Sequence, residues 1–188
     1  MMIKVCGITR REDAVAAAEA GASALGFIFY PESPRYVTPE RAAELGDGLP
    51  PLKVGVFVDE SPATMQAAVQ TAHLDVAQIY GPSDGLTTPV WFAVRVPDGG
   101  FWFEGEPGAV LLLDGAANGV TWDWPLARHF GEKYKVIVAG GLDASNVAEA
   151  IRAASPWGVD ASSRLESAPG IKDHAKVRAF VKAAREAS

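Results

Sequence analysis

Residues 2–29 read MIKVCGITRREDAVAAAEAGASALGFIF. An apolar run (2–6, MIKVC) gives way to a turn, an alanine-rich segment follows, and a second apolar run closes the stretch (24–29, ALGFIF). Thr9 and Glu12 have the spacing of a capping box, which predicts a helix over DAVAAAEA. Both apolar runs are continuous rather than alternating, the pattern of strands covered on both faces, as in a parallel sheet.

The strand–helix unit recurs. Apolar runs at 53–58, 76–80, 90–96, 109–113, 135–139 and 157–161 read as six further strands. Thr38 with Pro39, and Ser61 with Pro62, predict helix starts with proline at the first helical position, the helices running to about Leu45 and His73. Further helices are expected near 123–132 with Asp123 as cap, from GGLDAS to about Ala154, and over 174–186. The links GPSDGLTTP and PDGGFWFEGEPG, after the fourth and fifth strands, carry turn chemistry instead. Eight such units predict an α/β fold, a (β/α)8 TIM barrel forming one domain over residues 1–188. The chain allows roughly 24 residues per unit, below the usual length for that fold. Helices 4 and 5, shortened or replaced by loops, account for the fit. An open doubly wound sheet is the alternative.

Composition narrows the function classes. Hydrophobic residues make up 48% of the chain, enough for a sizeable core, and the net charge is −6. No basic stripe marks a nucleic-acid partner. No apolar run is long enough to cross a bilayer, and MMIKVCGITRRED reads as strand and turn rather than signal peptide, so the expected compartment is the cytoplasm. A single cysteine excludes an internal disulfide framework and a thiolate-rich zinc site. His73, His129 and His174 lie far apart, without ligand spacing; they read as helix-surface residues, and no metal is expected.

Barrel enzymes work at the C-terminal ends of their strands. Cys6 ends the first strand and Asp114 the sixth. With a strand period of two, Lys4 shares a face with Cys6, and Leu112 with Asp114. A lysine is costly against an apolar helix layer, so the Lys4 face is expected to point into the barrel. A thiol and a carboxylate then overlook one mouth. Separately, each has a plainer reading: a small buried hydrophobe for Cys6, a turn former or cap for Asp114, and for Lys4 a counter-ion to Asp160 or another interior carboxylate. Gly140 and Gly141 follow the seventh strand; Ser162, Ser163 and then Pro169-Gly170 follow the eighth. Loops in these places commonly hold phosphate through backbone amides and a helix N-terminus. Arg35, after the second strand, carries a fork that grips a carboxylate bidentately, unless it is a solvated loop arginine.

Taken in order, KVCGIT, GASALGFIFYPESPRYV, LLLD, AGGL and GVDASS with PGIKD resemble the phosphoribosylanthranilate isomerases of tryptophan biosynthesis, from Lys4 to the last helix. The resemblance implies a cofactor-free Amadori rearrangement of a phosphorylated small molecule, N-(5-phosphoribosyl)anthranilate. It makes Cys6 the general base and Asp114 the general acid. It gives Arg35 the anthranilate carboxylate, and Gly141 and the Ser162-Ser163 loop the phosphate, with Gly140 beside them; Gln78 is retained as a substrate contact. Three stretches depart from the family pattern. AQIYG puts Tyr80 where a histidine is usual, ASSRLE puts Arg164 where glycine is usual, and DGAANGVTWDW replaces a glycine-rich segment after the acid.

Two other functions compete. The isomerase of histidine biosynthesis performs the parallel rearrangement, but with two aspartates and a phosphate site in each half of the chain. A catalytically silent phosphate-ligand binder on the same scaffold is the other, resting on the departures at Tyr80, Arg164 and the loop. The sequence is compatible with monomer or oligomer, and the aromatics at 101–103 read as core or interface.

Overall fold

The computed structural model describes residues 1–81, 85–97, 102–115 and 121–188. Parts of the two turn-rich links, and residues 116–120 of the DGAANGVTWDW stretch after the acid, lie outside the described residues. Eight strands form: β1 (Met2–Cys6), β2 (Ala24–Ile28), β3 (Leu52–Phe57), β4 (Val76–Ile79), β5 (Val90–Val96), β6 (Val110–Gly115), β7 (Lys135–Val138) and β8 (Gly158–Ala161). Each pairs in parallel with the next, and β8 returns to pair with β1, Lys4 opposite Asp160, so the barrel is closed. Closure rules out the open doubly wound alternative.

Among the described residues six helices surround it: α1 (Arg11–Ala20), α2 (Pro39–Gly46), α3 (Pro62–Thr71), α4 (Leu126–Gly131), α5 (Val147–Ala154) and α6 (His174–Glu186). Among the described residues no helix stands between β4 and β5 or between β5 and β6. Part of the missing cover comes from the loop before β6. Phe103 stacks at 5.5 Å on the outward-facing Phe92 of β5 and at 5.2 Å on Tyr134, whose hydroxyl accepts from the Gly105 amide. Of the 101–103 aromatics, Phe103 is therefore core, Trp102 is 81% exposed, and Phe101 lies outside the described residues.

Thr38 and Ser61 cap α2 and α3 as their sequences predict, accepting from the amides of Arg41 and Thr64. Other expected starts are corrected. The capping box at Thr9 does not form: Thr9 instead donates to the Gly170 carbonyl, and Arg10 precedes α1 without a side-chain cap. The α4 helix begins after Pro125, not at Asp123, with no side-chain cap. His73 lies beyond α3 in a left-handed turn, φ 50°. His174 opens α6 but is not a free surface group, since its Nε2 sits 2.8 Å from the buried Asp13 carboxylate.

Strand parity sorts the side chains. Ile3, Val5, Leu25, Phe27, Leu111, Leu113, Val136 and Val138 face the helices. Ala24, Val54, Val76, Trp91, Leu112 and Ile137 fill the interior as a separate apolar layer, and Trp157 packs edge-on to Trp91 at 6.0 Å. Fully burying Leu112 alone contributes about 2 kcal/mol. Above this floor the interior turns polar, with Lys4, Gln78 and Asp160 all buried. An antiparallel pair, β9 (Glu166–Ala168) and β10 (Ile171–Lys172), follows β8 and a short 3-10 turn (Ser163–Leu165).

Candidate active site

At the C-terminal ends of the strands lies a cleft of about 260 Å³. Cys6, Arg35, Gln78, Asp114, Gly140, Gly141, Ser162 and Ser163 all line it, so the eight residues singled out from sequence share one site. Period-two parity delivers most of them. Cys6 follows Met2 and Lys4 on the inner face of β1; Asp114 follows Val110 and Leu112 on β6; Gln78 follows Val76 on β4.

The thiol of Cys6 is buried, and burial pushes its pKa up; the ammonium of Lys4 works against that rise. Asp114 is also pushed above the usual carboxylate range, first by burial and then by the charge of Asp160. Tyr80, just past β4, donates its hydroxyl to Asp114 Oδ2 at 3.3 Å, and burial holds its own pKa well above the usual tyrosine value. Gln78 is buried with its Oε1 unpartnered among the described residues while it lines the cleft.

Arg35 is not solvated. Its Nε and Nη2 both bond the Glu166 carboxylate at 2.8 Å, and Glu166 also binds Lys172 Nζ at 2.9 Å. Glu166 thus holds the fork by Nε and Nη2, and no hydrogen bond occupies Nη1 among the described residues. Gly7, at φ 75°, makes this possible: a Cβ there would lie 2.6 Å from Arg35 Cδ. Lys172 Nζ further donates to the Ser162 carbonyl, and Ser162 Oγ donates to the Cys6 carbonyl. A second knot ties the same loops together, with Asp13 accepting from Arg10, from the Lys172 amide and from His174.

Gly140 and Gly141 take left-handed conformations, φ 86° and 63°. The helix they lead to begins only at Val147, and Asn146 donates back to the Gly141 carbonyl. Arg164 reaches across from the β8 loop to Asp143 in the β7 loop at 3.1 Å. The glycine pair, the two serines and Arg164 therefore frame the wall of the cleft after β7 and β8, the strands that lie between β6, which carries the carboxyl, and β1, which carries the thiol.

Against known proteins, the family model for N-(5'-phosphoribosyl)anthranilate (PRA) isomerase matches residues 3–183. This chain belongs to the PRA isomerase family. Curated PRA isomerases of Solibacter usitatus and Myxococcus xanthus are 50% and 48% identical to it, covering 100% and 97% of the chain and 98% and 95% of their own lengths. The solved PRA isomerase of Thermotoga maritima superposes with a TM-score of 0.87 at 31% identity, over 99% of both chains. A PRA isomerase solved in complex with reduced 1-(o-carboxyphenylamino)-1-deoxyribulose 5-phosphate gives 0.86 at 32% identity, again over 99% of both chains.

Sequence reasoning missed Arg95, which lines the cleft on the inner parity of β5 after Trp91 and Ala93. It pairs in register with Asp114, and its guanidinium carbon lies 5.9 Å from the centre of the Tyr80 ring. Period-two counting from Trp91 carried that signal. Glu166 and Lys172 were also missed; their roles come from contacts over sequence separations that no local pattern reports.

Proposed function

We propose that this PRA isomerase family member converts N-(5-phosphoribosyl)anthranilate to 1-(2-carboxyphenylamino)-1-deoxyribulose 5-phosphate, an aldose–ketose isomerisation of tryptophan biosynthesis. The observation that carries the reading is the placement of a thiol and a burial-raised carboxyl on one cleft walled by glycine and serine loops.

Asp114 keeps its proton more readily than a solvated carboxyl and gives it to the furanose ring oxygen. The C1′–O4′ bond breaks and the anthranilate nitrogen becomes a Schiff base. Cys6, as thiolate, takes the proton from C2′; the electrons shift toward the nitrogen and form an enolamine, which tautomerises to the ketone. Sulfur acts only as a base. The substrate phosphate fits the wall made by Gly140, Gly141, Ser162 and Ser163, where backbone amides and the Arg164 charge favour an anion. Arg35, with Nη1 left over from its bond to Glu166, is the partner for the anthranilate carboxylate. Gln78 Oε1 accepts from the ligand, which relieves its orphaned state.

No helix of the described residues is long and apolar enough to cross a membrane. A phosphorylated metabolite as substrate and one free thiol fit a cytoplasmic enzyme.

Single-turnover fluorescence of the anthranilate group separates binding from chemistry. Cys6→Ser and Asp114→Asn are each expected to bind substrate yet lose on the order of 10²–10⁴ in kcat. Wild-type kcat in either variant refutes its assigned role. Ligand binding without turnover by the unaltered chain refutes the isomerase itself.

A further inference from the structure

The mechanism above leaves one buried charged pair unused. Lys4 is fully buried inside the barrel, one inner-face position below Cys6, and its Nζ lies 3.1 Å from Asp160 Oδ1 on the neighbouring strand. Neither atom completes a hydrogen bond among the described residues. An ammonium has three protons to place, and burying it with none well placed is costly. The space beside it is shared with the thiol. Gly26 stands opposite Cys6 on β2, and a Cβ there would meet Cys6 Sγ at 2.6 Å and Lys4 Cε at 3.1 Å. The absent side chain leaves one hollow, which the lysine stem and the sulfur fill together.

We propose that Lys4 is a positioning residue whose ammonium favours the Cys6 thiolate against the effect of burial, and that the charge of its ion-pair partner Asp160 works against it at the sulfur. This rests on the reading of Cys6 as the base. Lys4 and Cys6 are successive inner-face residues of β1 and border the same hollow at Gly26, so the ammonium charge bears on the sulfur. Several charged or titratable groups bear on the sulfur: Lys4 from β1, Asp160 from β8, Lys172 from β10, Arg35 from the loop after β2, and Tyr80 from the end of β4. Lys172 and Arg35 are committed to Glu166, and Tyr80 to Asp114, which leaves Lys4 as the cation nearest to acting on sulfur. Burial alone disfavours the thiolate; Lys4 opposes that effect and Asp160 adds to it.

The two members of the pair therefore have opposite effects on the thiol, whereas a pair that acted on the fold alone, out of reach of the sulfur, would shift it in neither variant. Cys6 is the single cysteine, so thiolate absorbance in the ultraviolet, with Cys6→Ser as blank, titrates it directly. Lys4→Met is expected to move the thiol pKa up and to lower kcat/KM at neutral pH by at least about tenfold, shifting the acidic limb of its pH profile the same way. Asp160→Asn is expected to move the thiol pKa down. Since either single change strands a buried charge, Lys4→Met/Asp160→Asn, which removes both charges, is the control for folding; its thiol is expected to titrate above wild type. Shifts of the same sign in the two single variants overturn the proposal, as does a wild-type titration in the double variant. A Cys6→Ser enzyme with full turnover instead sinks the base assignment, while the absorbance titration still decides whether Lys4 governs the sulfur.

Discussion

Tyr80 and Asp114 meet over β5 at the barrel rim, the phenol donating to the carboxylate over 3.3 Å and joining the ends of β4 and β6. The contact favours the ionised carboxylate, whereas burial, the larger influence, favours the acid.

Removing the phenol therefore has a defined sign. In Tyr80→Phe, Asp114 loses a donor that stabilises its charge, so its pKa rises further. The basic limb of the kcat/KM profile moves to higher pH, because the acid stays protonated longer. A limb that moves down means Asp114 is not the group that limits activity there.

Gly7 sits under Arg35. Gly7→Ala puts a methyl group 2.6 Å from Arg35 Cδ and 3.0 Å from Ser162 Oγ at φ 75°, a left-handed conformation that costs a side chain about 1–3 kcal/mol. A lowered urea midpoint and a raised KM are expected together. A raised KM without loss of stability points to Arg35 displacement alone.

Glu166 grips Arg35 and Lys172 at once with a side chain that is only 5% exposed. Glu166→Gln leaves two cations facing a neutral amide. Breaking a buried pair in this way costs about 3 kcal/mol, read from equilibrium denaturation. With its lower partner weakened, Arg35 loses its fixed direction, so KM rises more than kcat falls. By contrast, Glu44→Ala, which breaks the exposed pair with Arg41, changes stability by less than about 1 kcal/mol.

Asp13 and Glu166 bear on acid stability. Burial works to raise both pKa values, but Arg10, the Lys172 amide and His174 around Asp13, and Arg35 with Lys172 around Glu166, outweigh it and hold both below the usual carboxylate range. A carboxyl whose pKa is lower folded than unfolded stabilises the fold fully above its unfolded value, about 4. That contribution is lost as pH falls through the lowered folded value. Thermal melts are expected to drop steeply on that side, and Asp13→Asn flattens the drop.

The barrel was legible because its strands are continuous apolar runs and its unit repeats; Cys6 and Asp114 were legible because parity and strand ends locate them. Period two also carried the signal for Arg95, on a face counted from Trp91. Other parts were hidden for a physical reason. Thr9 has the chemistry of a cap, yet a tertiary acceptor, the Gly170 carbonyl, takes its hydroxyl. Arg35 reads as a loop arginine until Glu166, remote in sequence, is folded beneath it. His174 reads as helix surface until Asp13 is brought alongside. Local pattern reports what a residue can do, and long-range contacts select among those options.

The tryptophan-floored interior has a kinetic corollary. With Trp91, Leu112 and Ile137 packed beneath Lys4, the described residues close the cleft at its floor, so reactant and product are expected to share one doorway. Accumulating ketose then occupies the place the next sugar needs, so inhibition by product is expected to be competitive.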